Sequence, residues 1–205
     1  MMAKTVSAER LRGRPREYEE TEVIERAMQV FWTEGYHATS LPTLLAATQI
    51  SRSSLYAGFG DKHGIFLRAL DLYIEQALAR LDRELDTAPD ALTGVQVCID
   101  GYLARTQGDA GRRGCLVVAT AMELAAHDKE VSTRIDRFFK QMESRLTIAL
   151  KRARQAGLIR KDVDPAAFAH MLLCLLEGVR VISKVGSRQN TTAAALKALI
   201  AQISC

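Results

Sequence analysis

Between Ser51 and Lys62 the chain sets out a guanidinium (Arg52), three hydroxyls (Ser51, Ser53, Ser54), a phenol (Tyr56) and an ammonium (Lys62) within a dozen residues. Groups of this kind bind anions. A helix opening at Ser51 would aim the free amides and partial positive charge of its first turn at phosphates. From the same turn Arg52 can fork onto the major-groove edge of a guanine, and Lys62 is placed to touch a phosphate.

Those groups need a scaffold, and the surrounding pattern supplies one. Ser40 can cap a first helix whose Leu41, Leu44 and Leu45 lie to one side, with Pro42 tolerated in the first turn. Ser51 can cap a second helix from about Arg52 to Phe59, in which Leu55 and Phe59 join Ile50 in pointing inward. Arg52, Ser53 and Tyr56 are then left facing outward. Upstream, Val23, Ile24, Ala27, Met28 and Phe31 form an apolar stripe that Gly35 terminates, and a further helix opens at Asp61. Residues 17–66 thus read as a three-helix unit carrying a helix-turn-helix shaped for the DNA major groove. The competing reading is an amphipathic helix pair with no nucleic-acid role.

Residues 1–16 carry Lys4, Arg10, Arg12, Arg14 and Arg16 against one acid, Glu9, without apolar periodicity, which predicts a disordered basic arm. Its Arg-Gly-Arg-Pro-Arg run, with Arg12, Arg14 and Arg16, suits a narrow minor groove and resembles the core of an AT-hook. A merely solvated basic tail is the alternative.

The chain at this point resembles the TetR family of transcriptional regulators. Ala27, Phe31, Gly35-Tyr36, Thr39-Ser40, Ala46-Ala47, Ile50-Ser51, Leu55-Tyr56, Phe59, Asp61-Lys62 and Phe66 carry the likeness in register over about 45 residues. The resemblance implies operator contacts from Thr39, Ser40, Ser51, Arg52, Ser53, Ser54, Tyr56 and Lys62, a dimer, and a small-molecule effector. Two positions depart from the family pattern. Gln49 stands where glycine is usual in the turn, so a non-glycine residue must become left-handed at a cost of about 1 kcal/mol. Gly58 stands where histidine is frequent, which removes one expected phosphate contact.

The chain has 205 residues, 48% hydrophobic, enough for this unit and a second, helical domain over 67–205. Its net charge of +4 is matched by the arm alone, five bases less one acid, so the body is neutral overall. The hydrophilic N-terminus is not a secretory signal, no uninterrupted apolar run approaches bilayer length, and four scattered cysteines show no zinc or disulfide spacing. These features predict a reduced, cytosolic, bacterial-type protein without membrane association or cofactor. The fold expected is all-α with about nine helices, including a rod from Asp61 to about Leu85 that joins the two domains. A helix opened by Pro89 runs to about Thr106, and a glycine-rich basic loop covers 107–114. Further helices span about Cys115 to Ala126, Asp128 to Ala156, Asp164 to Lys184, and from Thr191 or Thr192 onward.

The last two helices are the dimerisation candidates. Phe168, Met171, Leu172, Leu175, Leu176, Val179 and Ile182 make one apolar around much of its circumference, and Leu196, Leu199, Ile200 and Ile203 stripe the other. A buried helix pair within one subunit is the alternative. By the family resemblance, a four-helix interface would hold two recognition helices over successive major grooves, about 34–36 Å apart or somewhat more, and so favour a palindromic operator.

Tyr102, Met122, Phe138, Met142 and His170 are candidates for an effector cavity, and equally for core packing. Cys115 follows Arg112-Arg113-Gly114 near a helix start, features that lower a thiol pKa and suggest a sensor of electrophiles or oxidants. The stretch Gly114-Cys115-Leu116, with Glu123 and His127-Asp128, resembles a TetR-like subgroup that includes electrophile and acrylate sensors. His170, Cys174 and Glu177 share a helix face but lack a second cluster to complete a metal site, and Glu177 reads as a polar residue at the dimer seam. No phosphate-binding glycine loop, His-Glu-x-x-His or nucleophile elbow marks an enzyme. A helical adaptor that binds only other proteins is the remaining rival; it would leave the Arg52 face and the arginine arm without a role.

Overall fold

The computed structural model describes residues 17–185 and 189–205. Arg12, Arg14 and Arg16, and with them the arm, lie outside the described residues. Those described form helices with no strand ladder, and one isolated bridge joins Ile159 to Ser204.

The N-terminal unit contains α1 (Glu17–Glu34), α2 (Leu41–Thr48) and α3 (Arg52–Phe59), packed on the start of α4 (Lys62–Asp86). Its caps follow the sequence. Ser40 Oγ accepts the Thr43 amide at 3.1 Å, Ser51 Oγ the Ser54 amide at 3.0 Å, and Asp61 Oδ1 the Gly64 amide at 2.8 Å. Gln49 closes α2 at φ 58°, ψ 29°, so the glycine-free turn is made by a left-handed glutamine. Ile24, Ala27, Met28 and Phe31 of α1 meet Ile65, Phe66, Ala69 and Leu70 of α4, with Phe31 edge-on to Phe66 at 5.0 Å. Leu44 and Leu55 are fully buried, which fixes the outward face of α3.

The second domain adds α5 (Ala91–Ala104), α6 (Gly108–Arg113), α7 (Leu116–Leu124), α8 (Lys129–Gln155), α9 (Pro165–Val185) and α10 (Gln189–Ile203) to the rest of α4. Nine described helices have eight or more residues. The tenth, α6, occupies the expected glycine-rich loop; Gly108 enters left-handed at φ 57°, the Gly111 amide reaches Gln107 O at 3.0 Å, and Arg112 pairs with Asp109. Asp90, rather than Pro89, caps α5, taking the Thr93 amide and hydroxyl on its two oxygens. The last helix starts at Gln189, ahead of the threonines chosen from sequence.

By length and composition alone α9, at 21 residues, is long and apolar enough to cross a membrane, although Glu177 and Arg180 interrupt its apolar run. Its inner face, however, packs on α8 and buries Phe168, Ala169, Leu172, Leu173 and Leu176 together with Arg180.

That packing also corrects the dimer set. Phe168, Leu172, Leu176, Leu196 and Ile203 are buried within their own subunit and cannot face a second one. Val179 and Leu199 are half-buried against the core. The outward ridge of α9 instead comprises Met171, Leu175, Val181, Ile182 and Val185, of which Met171, Leu175 and Ile182 belong to the apolar set expected from the sequence.

Candidate functional site

Arg52, Ser53, Ser54 and Tyr56 lie together on the exposed side of α3, with Leu55 fully buried beneath them. Tyr56 is 50% exposed, and among the described residues neither its hydroxyl nor the Arg52 guanidinium has a hydrogen-bond or ion-pair partner. Both side chains are therefore available to a ligand. The Ser53 and Ser54 hydroxyls are within 2.8 and 2.9 Å of Ser51 Oγ, which orders the first turn of α3.

Ser40 is exposed at the head of α2, as expected of a phosphate contact, whereas Thr39 is not. Thr39 is fully buried and its hydroxyl donates to Gly35 O at 2.6 Å, so its side chain braces the α1–α2 turn. Lys62 is half-withdrawn, with Nζ 4.4 Å from the centre of the Tyr36 ring. Desolvation pushes the Lys62 ammonium pKa down.

The same turn is gripped from the second domain. Glu123, near the end of α7, accepts the Tyr36 amide at 3.0 Å and the His37 amide at 2.6 Å. Gly35 ends α1 at φ 86°, and an added Cβ would stand 3.2 Å from Glu123 Oε2, so glycine serves both the left-handed turn and the carboxylate's approach. The other end of α7 is tied to α1. Trp32 Nε1 donates to Gly114 O at 3.1 Å, and the Arg113 guanidinium stacks 3.8 Å from the Trp32 ring while donating to Gln29. Sequence reading missed this strut because its two ends lie some 80 residues from the groups they hold.

Cys115, the N-cap of α7, lines a small cavity with Tyr73, Ala77, Arg80, Leu81, Glu84, Tyr102, Arg105, Phe138, Met142 and Arg180. Its volume is about 20 Å³, room for about one water. Tyr102, Phe138, Met142 and Cys115 are thus brought together as expected. Met122 is 85% exposed on the outer side of α7, and His170 sits at the surface against Glu143, 3.0 Å away; neither reaches the cavity.

The premise for a reactive thiol also changes. Arg112 and Arg113 are engaged elsewhere, and burial pushes the Cys115 pKa up, with Glu177 adding to the rise. Cys115 Sγ accepts the Tyr73 hydroxyl at 3.5 Å. Glu177 turns inward, away from the seam, and its Oε1 accepts the Tyr102 hydroxyl at 2.9 Å. His170 and Cys174 remain outside, and no metal-binding cluster occurs among the described residues.

Comparison with known proteins agrees with this geometry. Residues 23–69 match the family described as bacterial regulatory proteins, tetR family, and residues 91–199 match the tetracyclin repressor-like C-terminal domain. An uncharacterized HTH-type transcriptional regulator of Bacillus subtilis, YezE, is 30% identical over 78% of this chain and 83% of its own length. The HTH-type transcriptional repressor ComR of Escherichia coli is 26% identical over 89% and 88%. A cysteine mutant of the TetR family regulator CifR, solved with 26-base-pair operator DNA, is 30% identical and superposes with a TM-score of 0.80 over 93% of this chain and 100% of its own. These relatives are transcriptional regulators rather than enzymes or adaptors, and this chain belongs to the TetR family of helix-turn-helix transcriptional regulators.

Proposed function

We propose that this chain is a dimeric repressor that occupies a palindromic operator and releases it when a small molecule enters the central cavity. The unpartnered outer face of α3 carries the reading, with Arg52 and Tyr56 as base-reading groups and Ser40, Ser51, Ser53, Ser54 and Lys62 positioning the phosphates. The basic arm, through Arg12, Arg14 and Arg16, adds minor-groove contacts beside the half-site. Pairing of the outward α9 ridges gives the two-fold axis, and the exposed small residues Ala194, Ala195, Ala198 and Ala201 let α10 approach closely. The repressor names of relatives such as ComR favour repression over activation.

Effector release follows from the cavity's size and walls. At about 20 Å³ it accommodates no organic molecule without moving a wall, and α4, the start of α7, α8 and α9 all contribute walls. Displacing α4 moves the base of α3 directly, while displacing Cys115 moves the strut whose far end, Glu123, holds the α1–α2 turn. Either shift changes the separation of two recognition helices, and a coupling of about 1–3 kcal/mol suffices for induction. Selection of bound duplexes from a random pool tests the reading. A palindrome with half-sites one helical turn or somewhat more apart supports it, and failure to enrich any sequence overturns it.

A further inference from the structure

The walls of the central cavity are unusually cationic for an interior. Arg80, Arg105 and Arg180 line it, against Glu84 on the same wall and Glu177 behind Tyr102. The Arg105 and Arg180 guanidiniums stand 5.2 and 4.7 Å from the centre of the Tyr102 ring. Glu84 is spoken for, bound to Arg105 at 2.6 and 3.4 Å. Arg80 has no hydrogen-bond or ion-pair partner among the described residues, and burial and repulsion from its two neighbours make its charge costly. Among the described residues, three buried side-chain polar atoms lack protein partners: Arg105 Nε, Arg180 Nε and Glu177 Oε2. Arg180 is only 7% exposed, so water reaches its unmet donor poorly.

Two orphaned guanidinium donors and one unpartnered guanidinium on the cavity walls define a complement. We infer that the cavity takes a compact carboxylate, held among Arg80, Arg105 and Arg180. A single negative charge balances three guanidiniums and two carboxylates. A planar carboxylate matches the guanidinium fork. Ala77, Leu81, Phe138 and Met142 wall the remainder, which suits a short aliphatic chain better than a phosphate. This assignment rests on the cavity being the effector site, and it names the effector's chemistry.

Titration of the full chain with 3-hydroxybutyrate, butyrate, 3-hydroxybutyramide and inorganic phosphate tests it without DNA. The readouts are calorimetry and the emission of the sole tryptophan, Trp32, whose ring lies 4.9 Å from that of the cavity residue Tyr73. Both acids are expected to bind, with the amide weaker than the acid by about tenfold or more and phosphate inert. Arg80→Gln, at a half-exposed and unpaired position, should keep the fold and weaken 3-hydroxybutyrate by about tenfold. Equal binding of acid and amide, preference for phosphate, no binding by either acid, or an Arg80→Gln variant that binds as well as the parent overturns the inference. Carboxylate binding that leaves affinity for a selected operator unchanged would instead count against the induction reading.

Discussion

Arg52 on α3 and Arg180 on α9 are the same residue put to opposite physical uses. Arg52 is exposed and unpartnered, so its charge is hydrated until a ligand arrives, and the residue adds little to folding. Arg180 is buried with its Nε unmet, and the fold tolerates it through the Tyr102 ring and one long bond to Arg105 O at 3.4 Å. An exposed arginine can be lost at the expense of binding alone; a buried one is tied to folding and binding together.

The sharpest way to break this contrast lies on α9, where the inward and outward faces should respond differently. Ile182→Asp, at a position 51% exposed, should leave helix content intact but dissociate the dimer and abolish operator binding, as sedimentation and anisotropy would report. Leu172→Asp, fully buried, should instead unfold the domain at a cost above about 4 kcal/mol. Equal behaviour of the two variants would mean that the outward ridge is not an interface.

Arg52→Ala should cost about 1–3 kcal/mol of operator affinity with unchanged melting temperature, and should relax preference at one base pair. A uniform loss across sequences would make Arg52 a phosphate contact. Glu123→Gln keeps the size but removes the charge that holds the Tyr36 and His37 amides, so stability to urea should fall by about 1 kcal/mol and operator affinity with it. If stability fell while affinity did not, the strut would hold the fold without setting the recognition helix.

The difference between the regions also explains what was legible in the sequence. The DNA-binding face is built from residues 40–62, so caps, stripe and outward groups all appear within one local pattern. Even its irregular feature was visible, since the missing turn glycine required Gln49 to be left-handed. The cavity gathers side chains from Tyr73 to Arg180, and only long-range packing unites them. Helical periodicity marked Tyr102, Phe138 and Met142 as apolar, but it could not tell that α7 turns Met122 outward or that His170 lies on the rim of α9. Arg80 and Arg105 carry no local mark that separates them from solvated charges. One signal was available: Glu177 and Arg180 interrupt an otherwise apolar helix at a three-residue spacing, a pattern that favours an inward polar pair over a seam.

Smaller effects sharpen the same picture. Gln49→Gly should raise stability by about 1 kcal/mol or less, because the turn already has the conformation glycine prefers. N-ethylmaleimide should label exposed Cys205 well before Cys98 or Cys115, which are buried and whose thiol pKa values are raised, that of Cys98 to about 12. Rapid labelling of Cys115 at neutral pH would revive the thiol-sensor reading.

The most direct test of the central claim is the stoichiometry and salt dependence of binding to a selected duplex, measured by sedimentation and anisotropy at two salt concentrations. A two-fold repressor places two protomers, or a multiple of two, on one palindrome. Its affinity falls with salt by about 0.9 log units per phosphate neutralised and collapses when one half-site is scrambled. A single protomer bound with the same affinity to intact and scrambled sites would contradict that claim.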